Sequence, residues 1–287
     1  MSPVTDSVVV PAGYRIDYDD DAHRYWIPFP EEVASVTTAL GVLDKPALPW
    51  WGMTQGVAGV SRLHELGVLP PLVNPDAIVK ALTANKLTVN HVKGKAAARG
   101  VGAHHALEQL AATGRLDLSK IEPEDQGYAS AVLDWWLEAN PTECVTEQMV
   151  GSRKHGFAGR YDLDCRLDVA RCLVDLKTSK AVYDSHLLQL ELYGIGAAES
   201  GYGKFDNKYV LRAGADGSYE FVRSYATAGQ ALDVLRCYKA MQRLKRSKPK
   251  SHGRRKRHER PTPPYPAPRP RRCPRGSSGD VTSAPYR

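Results

Sequence analysis

Apolar and polar residues alternate most regularly in the middle of the chain. Phe157 to Leu167 keeps a period of two, which puts successive side chains on opposite faces, and it lies between Thr142 to Val150 and Arg171 to Thr178, the latter with the apolar run Cys172-Leu173-Val174 of a buried strand. They predict three successive strands in an antiparallel meander. Upstream, the chain from Val36 to about Asn140 has helical spacing, broken at Pro70-Pro71 and Asn74-Pro75, and Pro123 opens the helix that carries Trp135 and Trp136. Downstream, the leucines from Leu187 to Leu192 predict a helix with Asp184 as N-cap, running to Glu199 and closed by Gly201. Strands at Asn207 to Arg212 and Tyr219 to Tyr225 flank the turn Gly214-Ala215-Asp216-Gly217. A last helix runs from Thr227 to Leu244, with Gln230 three residues after Thr227 as in a capping box. Near the N-terminus, Tyr14 to Tyr18 and His23 to Ile27 alternate around Asp19-Asp20-Asp21-Ala22, a β-hairpin pattern. The whole reads as an α/β fold: a mixed central sheet flanked by helices, preceded by a hairpin and a helical region.

Charge divides the chain unevenly. The net charge is +7, yet fifteen of the 39 Lys/Arg lie from Arg243 onward against two of the 32 acids, which leaves 24 basic and 30 acidic residues before it. The excess positive charge therefore sits in a basic, Pro-rich tail with no apolar periodicity, and that composition predicts disorder. Three segments follow: residues 1–34 as the hairpin, 35–246 as the main domain with a core from about 99, and 247–287 as the tail. Arg254, Arg255, Lys256 and Arg257 are its densest cluster, and the tail reads equally as an arm for non-specific contact with nucleic-acid phosphates or as a terminal extension without a role. No run of about 18 apolar residues is present, so no membrane span is expected. The N-terminal residues lack signal-peptide order, and five scattered cysteines without a Cys-x-x-Cys pair favour a reducing, cytoplasmic compartment over structural zinc.

The candidate chemistry lies where the central strands turn polar. In Val174-Asp175-Leu176-Lys177-Thr178, Asp175 and Lys177 share a strand face, and Asp162 lies on the preceding strand. Two carboxylates beside a fixed positive charge provide a divalent-cation site with a lysine to position water, the requirements of phosphodiester hydrolysis. Asp164 shares a face with Asp162 and competes for its role. On predicted helices, Gln189 and Tyr193 share a face at i,i+4, as do His104 and Glu108, a pairing that favours His104 over its neighbour His105.

In this order the pieces resemble the RecB-type branch of the PD-(D/E)XK nuclease superfamily. They are Gly100 to Glu108 (with Val101 where the pattern has threonine), Gly159-Arg160-Tyr161-Asp162, Asp175-Leu176-Lys177, and Gln189 to Tyr193. The N-terminal hairpin, Ser35-Val36-Thr37-Thr38 and Lys45-Pro46-Ala47-Leu48-Pro49-Trp50 look similar to the start of phage-encoded exonucleases of that superfamily and of the mitochondrial genome maintenance exonuclease. The resemblance implies a restriction-endonuclease-like core and a Mg²⁺-dependent deoxyribonuclease, with Mn²⁺ as substitute. Asp162, Asp175, His104 and the Leu176 carbonyl would hold the metal and Lys177 would be catalytic. It also implies supporting roles for Gln189, Tyr193, Glu108 and Glu147, the last either a site acid or a solvated strand residue. Arg160 stands near the site as a candidate phosphate contact. The cysteine group of the iron–sulfur members of the superfamily is absent, so no cluster is expected. DNA is the implied partner, in phage-type recombination, replication or repair, with a recombinase or single-strand annealing protein as a further partner and the host cytoplasm as location. A structure-specific endonuclease, or an inactive DNA-binding accessory on the same fold, are the alternatives.

Overall fold

The computed structural model describes residues 4–28, 31–43, 47–72 and 74–247. Along the chain come β1 (Asp6–Val9), β2 (Arg15–Asp19), β3 (Arg24–Trp26), β4 (Glu32–Ser35), α1 (Val36–Leu40), α2 (Ala47–Glu65), α3 (Pro75–Ala84), α4 (Val89–Thr113) and α5 (Gln126–Ala139). They are followed by β5 (Thr142–Ser152), β6 (Phe157–Leu167), β7 (Ala170–Lys177), α6 (Asp184–Glu199), β8 (Asn207–Ala213), β9 (Tyr219–Arg223) and α7 (Ala228–Arg246). The fold is mixed α/β. The expected hairpin is β2 and β3, and the three expected central strands are β5, β6 and β7, antiparallel throughout. Lys45, Pro46 and the tail cluster Arg254 to Arg257 lie outside the described residues.

Local signals account for several element ends. Thr227 Oγ1 accepts from the Gln230 amide at 3.3 Å while Gln230 Oε1 accepts from the Thr227 amide at 2.9 Å, so the capping box is reciprocal. The start of α6 differs by one residue from expectation. Asp184 is its first helical residue, and the N-cap is Tyr183, whose backbone N–H donates to His186 Nδ1 at 3.2 Å. Asp184 instead places a negative charge in the first turn, where the helix dipole favours it.

The sheet runs β1-β2-β3-β4-β6-β7-β8-β9, with β5 on β6 as well. The hairpin is therefore not a separate segment ending at residue 34: its strands continue the central sheet, and residues 1–246 form one compact unit. The connection is β4, which pairs parallel to the start of β6, Ala34 with Phe157 and Ser35 with Ala158. Helices cover both faces. Leu173, Tyr161 and Val210 pack with α1, α6 and α7, whereas Leu163, Cys165, Val174 and Leu176 pack with α4 and α5 around Leu107, Leu110 and Trp135. Trp135, noted in the sequence for its neighbour Trp136, is a core residue edge-on to that neighbour.

This topology opens a crevice at one place. β6 has two edges, and β5 occupies one of them from Phe157 to Arg166. On the other, β4 pairs with Phe157 and Ala158, and β7 pairs from Leu163 onward. Gly159, Arg160, Tyr161 and Asp162 thus fall between two partners. Tyr161 packs in the α6-side cluster and Leu163 in the α4-side cluster, although residues two apart on a regular strand share a face, so the strand changes facing at Asp162.

Candidate active site

Asp162 supplies with its side chain the bond that the sheet does not make there. Its Oδ2 accepts the buried backbone N–H of Leu176 at 2.6 Å, which ties β6 to the polar end of β7. Its Oδ1 lies 3.4 Å from His104 Nδ1 on α4. Across β6, the β5 register brackets Glu147 opposite Asp162, since Thr146 pairs with Leu163 and Gln148 with Tyr161. Glu147 has φ +52°, a left-handed conformation uncommon for a residue with a Cβ. Its carboxylate lies 4.0 Å from His104 Nδ1 and 4.0 Å from Arg160 Nε. One ligand atom each from His104, Glu147 and Asp162 lies within 4.8 Å of the others, and among the described residues this is the group able to hold a metal ion.

The donor set suits a divalent cation that takes oxygen and imidazole ligands, since two carboxylates join one histidine and no thiolate takes part. The His104 imidazole is held protonated up to about 9: burial opposes this, but the Asp162 charge and the Glu147 hydrogen bond outweigh it. A cation arriving here would meet the same negative field that now retains the proton.

Asp175 stands beside this group without joining it. It is fully buried, and the Lys177 ammonium lies against its Oδ2. Neither Asp175 oxygen has a hydrogen bond of good geometry, so the lysine is a charge partner rather than a well-aligned donor. Burial raises the Asp175 carboxyl to about 6 against the pull of Lys177, and Asp175 and Asp162 raise Lys177 in turn although burial acts the other way. Lys177 Nζ also donates to the Leu176 carbonyl at 3.2 Å, so the group expected to face a metal is occupied by the lysine in this state. The lysine is pinned at the rim of the site, with one carboxylate on either side of the Leu176 peptide.

Gln189 and Tyr193 meet as their spacing predicts, Gln189 Nε2 donating to Tyr193 Oη at 2.8 Å in a buried position. Burial, followed by the charges of Asp175 and Asp162, raises the Tyr193 phenol well above its ordinary range, so this residue faces the acids as a neutral hydroxyl. Gly159 makes room for it: a Cβ there would lie 2.7 Å from Tyr193 Cε1 and 3.0 Å from Val36 Cγ2. Gly159→Ala is accordingly expected to cost about 1–3 kcal/mol by overpacking and to move Tyr193 off the acids. Urea melts measure this, and an unchanged midpoint would mean that the glycine is not required by packing.

One expectation among the remaining residues changes with the structure. Glu108 pairs with the exposed His105 at 3.6 Å, not with His104, so the i,i+4 pairing is absent, and Glu108 is not among the clustered ligand atoms. His104 reaches the site because its side of α4 packs on the sheet with Ala103 and Leu107, which a helical pattern alone does not orient. Asp164, the competitor, is taken by Arg171, whose Nη2 is 2.5 Å from Oδ2 and whose Nε also donates to it; that pair leaves Asp162 as the open carboxylate. Arg160 lies at the mouth, with its Nη2 2.5 Å from Asp6 of β1 and its guanidinium 5.2 Å from the centre of the Tyr18 ring.

A cleft of about 310 Å³ opens onto the group, and the N-terminal strands build much of its wall. Tyr18, Asp20, Tyr25, Ser35 and Thr37 line it. Sequence reasoning did not assign these to the site. The Ser35-Val36-Thr37-Thr38 run was the available signal, but no local pattern shows which sheet edge a strand joins.

No protein-family model matches the chain, and no curated protein sequence matches it. Among solved structures, the chain is similar to the one described as the crystal structure of SSO0001, at 15% identity and a TM-score of 0.27. The match covers 39% of this chain and 57% of that one, so the aligned part spans little more than half of that structure's length. No helix among the described residues is long and apolar enough to cross a membrane.

Proposed function

We propose that the protein is a metal-dependent deoxyribonuclease that hydrolyses phosphodiester bonds, acting as an exonuclease in DNA recombination, replication or repair. The observation that carries this reading is the hydrogen bond from the Leu176 amide to Asp162. It joins a metal-ligand group (His104, Glu147, Asp162) to an acid–lysine pair (Asp175, Lys177) across one peptide. The ordered motif resemblance supports it independently.

His104, Glu147 and Asp162 would hold the metal, Mg²⁺ or Mn²⁺. When bound, the metal supplies Lewis acidity to a phosphoryl oxygen and to water. The protein's own residues then have distinct tasks. Lys177 remains protonated at neutral pH, and its ammonium, freed from the Leu176 carbonyl, orients water and offsets the negative charge that develops on the phosphoryl oxygens. Asp175 keeps that ammonium at the rim. The Leu176 amide fixes one oxygen of Asp162 and leaves the other toward the ligand group. Tyr193 donates from a neutral hydroxyl at the floor, and Arg160 carries a positive charge at the mouth, where the flanking backbone would enter.

Linear and covalently closed DNA, each with and without Mg²⁺, test the activity. Metal-dependent loss of the linear form alone supports an exonuclease, nicking of closed circles replaces it with an endonuclease, and no hydrolysis of either overturns the reading.

Metal uptake has its own signature. Calorimetric Mn²⁺ binding is expected to be lost in His104→Ala and retained in His105→Ala, and equal effects of the two would refute the assignment. A ligand imidazole must be neutral, and the proton is held up to about 9. Affinity should therefore rise about tenfold per pH unit between 7 and 9 and level off above, and a flat profile would place His104 outside the metal's ligand set.

A further inference from the structure

A second concavity, about 340 Å³, lies where α7 crosses β4 and the turn into β6. Lys239, Arg243 and Arg246 line it from α7 at i, i+4 and i+7, so they form one stripe of the helix. Ala34 and Gly156 form part of the opposite side. The groove's acid, Glu32, lies 3.6 Å from Arg24, which turns part of its charge away from the α7 stripe. Basic residues in the last turn of a helix are favoured by its dipole, which accounts for Arg243 and Arg246 without any ligand. It does not account for Lys239, which lies outside that turn.

Lys239 is anchored. Its ammonium donates to the His155 carbonyl, and it sits where a side chain on Gly156 would be: that glycine has φ +56°, and a Cβ there would come within 2.8 Å of Nζ. Burial and then the charge of Arg243 lower the lysine, so the groove gathers positive charge at some electrostatic cost. An anion in the groove would relieve that cost. The residues before Arg243 are acidic in sum, so a cationic groove runs against the character of the body.

The groove and the candidate active site share a framework. Ala34 and Gly156 line the groove, while Ser35, Gly159, Arg160 and Asp162, farther along the same two paired segments, line the cleft. A strand rises about 3.3 Å per residue, so Gly156, in the turn before β6, and Asp162 are at most about 20 Å apart. That is about six base pairs at 3.4 Å each.

We infer that the α7 groove binds the phosphate backbone of DNA within about six base pairs of the phosphodiester held in the cleft. The assignment of DNA as the anion rests on the nuclease reading of that cleft. Lys239 would be the half-buried contact, and Arg243 and Arg246 the exposed ones.

The test uses the full chain and Arg243→Gln/Arg246→Gln, exposed changes expected to alter stability by less than about 0.5 kcal/mol. Urea melts and Mn²⁺ uptake at the His104 site verify that the rest of the protein is intact. Binding to duplexes of about 5 and about 12 base pairs is measured in EDTA over a salt series. For the wild type the longer duplex should bind more tightly. In the variant that gain should shrink on the order of tenfold, and the slope of log affinity against log salt should flatten by about 1–2, at 0.9 per lost phosphate contact. An unchanged slope and length dependence would overturn the groove while leaving the nuclease reading intact. A groove-dependent slope in a protein that fails to hydrolyse DNA in Mg²⁺ would sustain the groove and sink the nuclease reading. Equal loss of binding to a polyglutamate peptide of matched charge would reassign the groove to an acidic protein partner and overturn the proposal.

Discussion

Asp162→Asn is expected to abolish metal-dependent DNA cleavage, by about 10³-fold or more (on the order of 4 kcal/mol in the barrier), in a protein that stays folded. The substitution preserves the size of the side chain, and its carbonyl can still accept the Leu176 amide that Oδ2 accepts at 2.6 Å. What it removes is the charge that faces His104 at 3.4 Å and contributes one of three clustered ligand atoms. Asp175→Asn should lose cleavage to a similar degree for a different reason. It leaves the metal group complete but releases Lys177 from its charge partner. The two variants therefore separate in a second measurement: Mn²⁺ uptake should fall in Asp162→Asn and persist in Asp175→Asn. Because such groups act as a unit, combining both should cost little more than either alone. Single-turnover hydrolysis with circular dichroism on the same samples decides it. Wild-type rates in a folded Asp162→Asn would remove the central claim.

The second large effect is on stability. Lys177→Ala is expected to destabilise the metal-free protein by about 1 kcal/mol at pH 7 and about 3 kcal/mol at pH 8, because it leaves a fully buried carboxyl with neither a charge partner nor a hydrogen bond, and each pH unit above the folded value adds at most about 1.4 kcal/mol. The sign with pH follows from Asp175. Its folded value, about 6, lies above that of an unfolded carboxyl, so ionisation already costs stability as pH rises through that interval, and the cost is complete above about 6. Without the lysine the folded value moves higher still. The extra loss in the variant should therefore be small near pH 4, where Asp175 is neutral in both proteins, and open above about pH 6. Adding Asp175→Asn to Lys177→Ala should restore most of the stability and none of the cleavage. Urea melts in EDTA at pH 4 and pH 8 measure this, and an equal gap at both would show that the charge of Asp175 is not its source.

Whatever depended on neighbours in sequence was legible in the chain. Alternation with period two located β6, and the apolar run Cys172-Leu173-Val174 located β7, because a strand's own residues carry the pattern of its faces. Thr227 and Gln230 announced the start of α7, and the i,i+4 spacing of Gln189 and Tyr193 announced their hydrogen bond, since both interactions close within one or two turns of helix. The shared face of Asp175 and Lys177 was readable for the same reason.

Only the tertiary structure decided what lies across from these residues. The Glu108 carboxylate could turn to either histidine, and it turned to His105; His104 faces the acids because α4 packs its Ala103 and Leu107 side on the sheet. Asp162 and Asp164 were equivalent by period, until Arg171 on the neighbouring strand claimed one of them. Glu147 stands beside His104 and Asp162 through its register on β6 and its left-handed backbone, neither of which a single strand's pattern contains. The N-terminal strands reach the cleft because β4 pairs with the start of β6, more than 120 residues away in sequence, and withdraws before β7 begins. Side-chain periodicity is a local property of the backbone and can be read from a segment alone. Strand partnership and helix facing are choices among distant surfaces, made by the burial of the whole core, and they brought residues of three motifs to one cleft with the acid–lysine pair beside it.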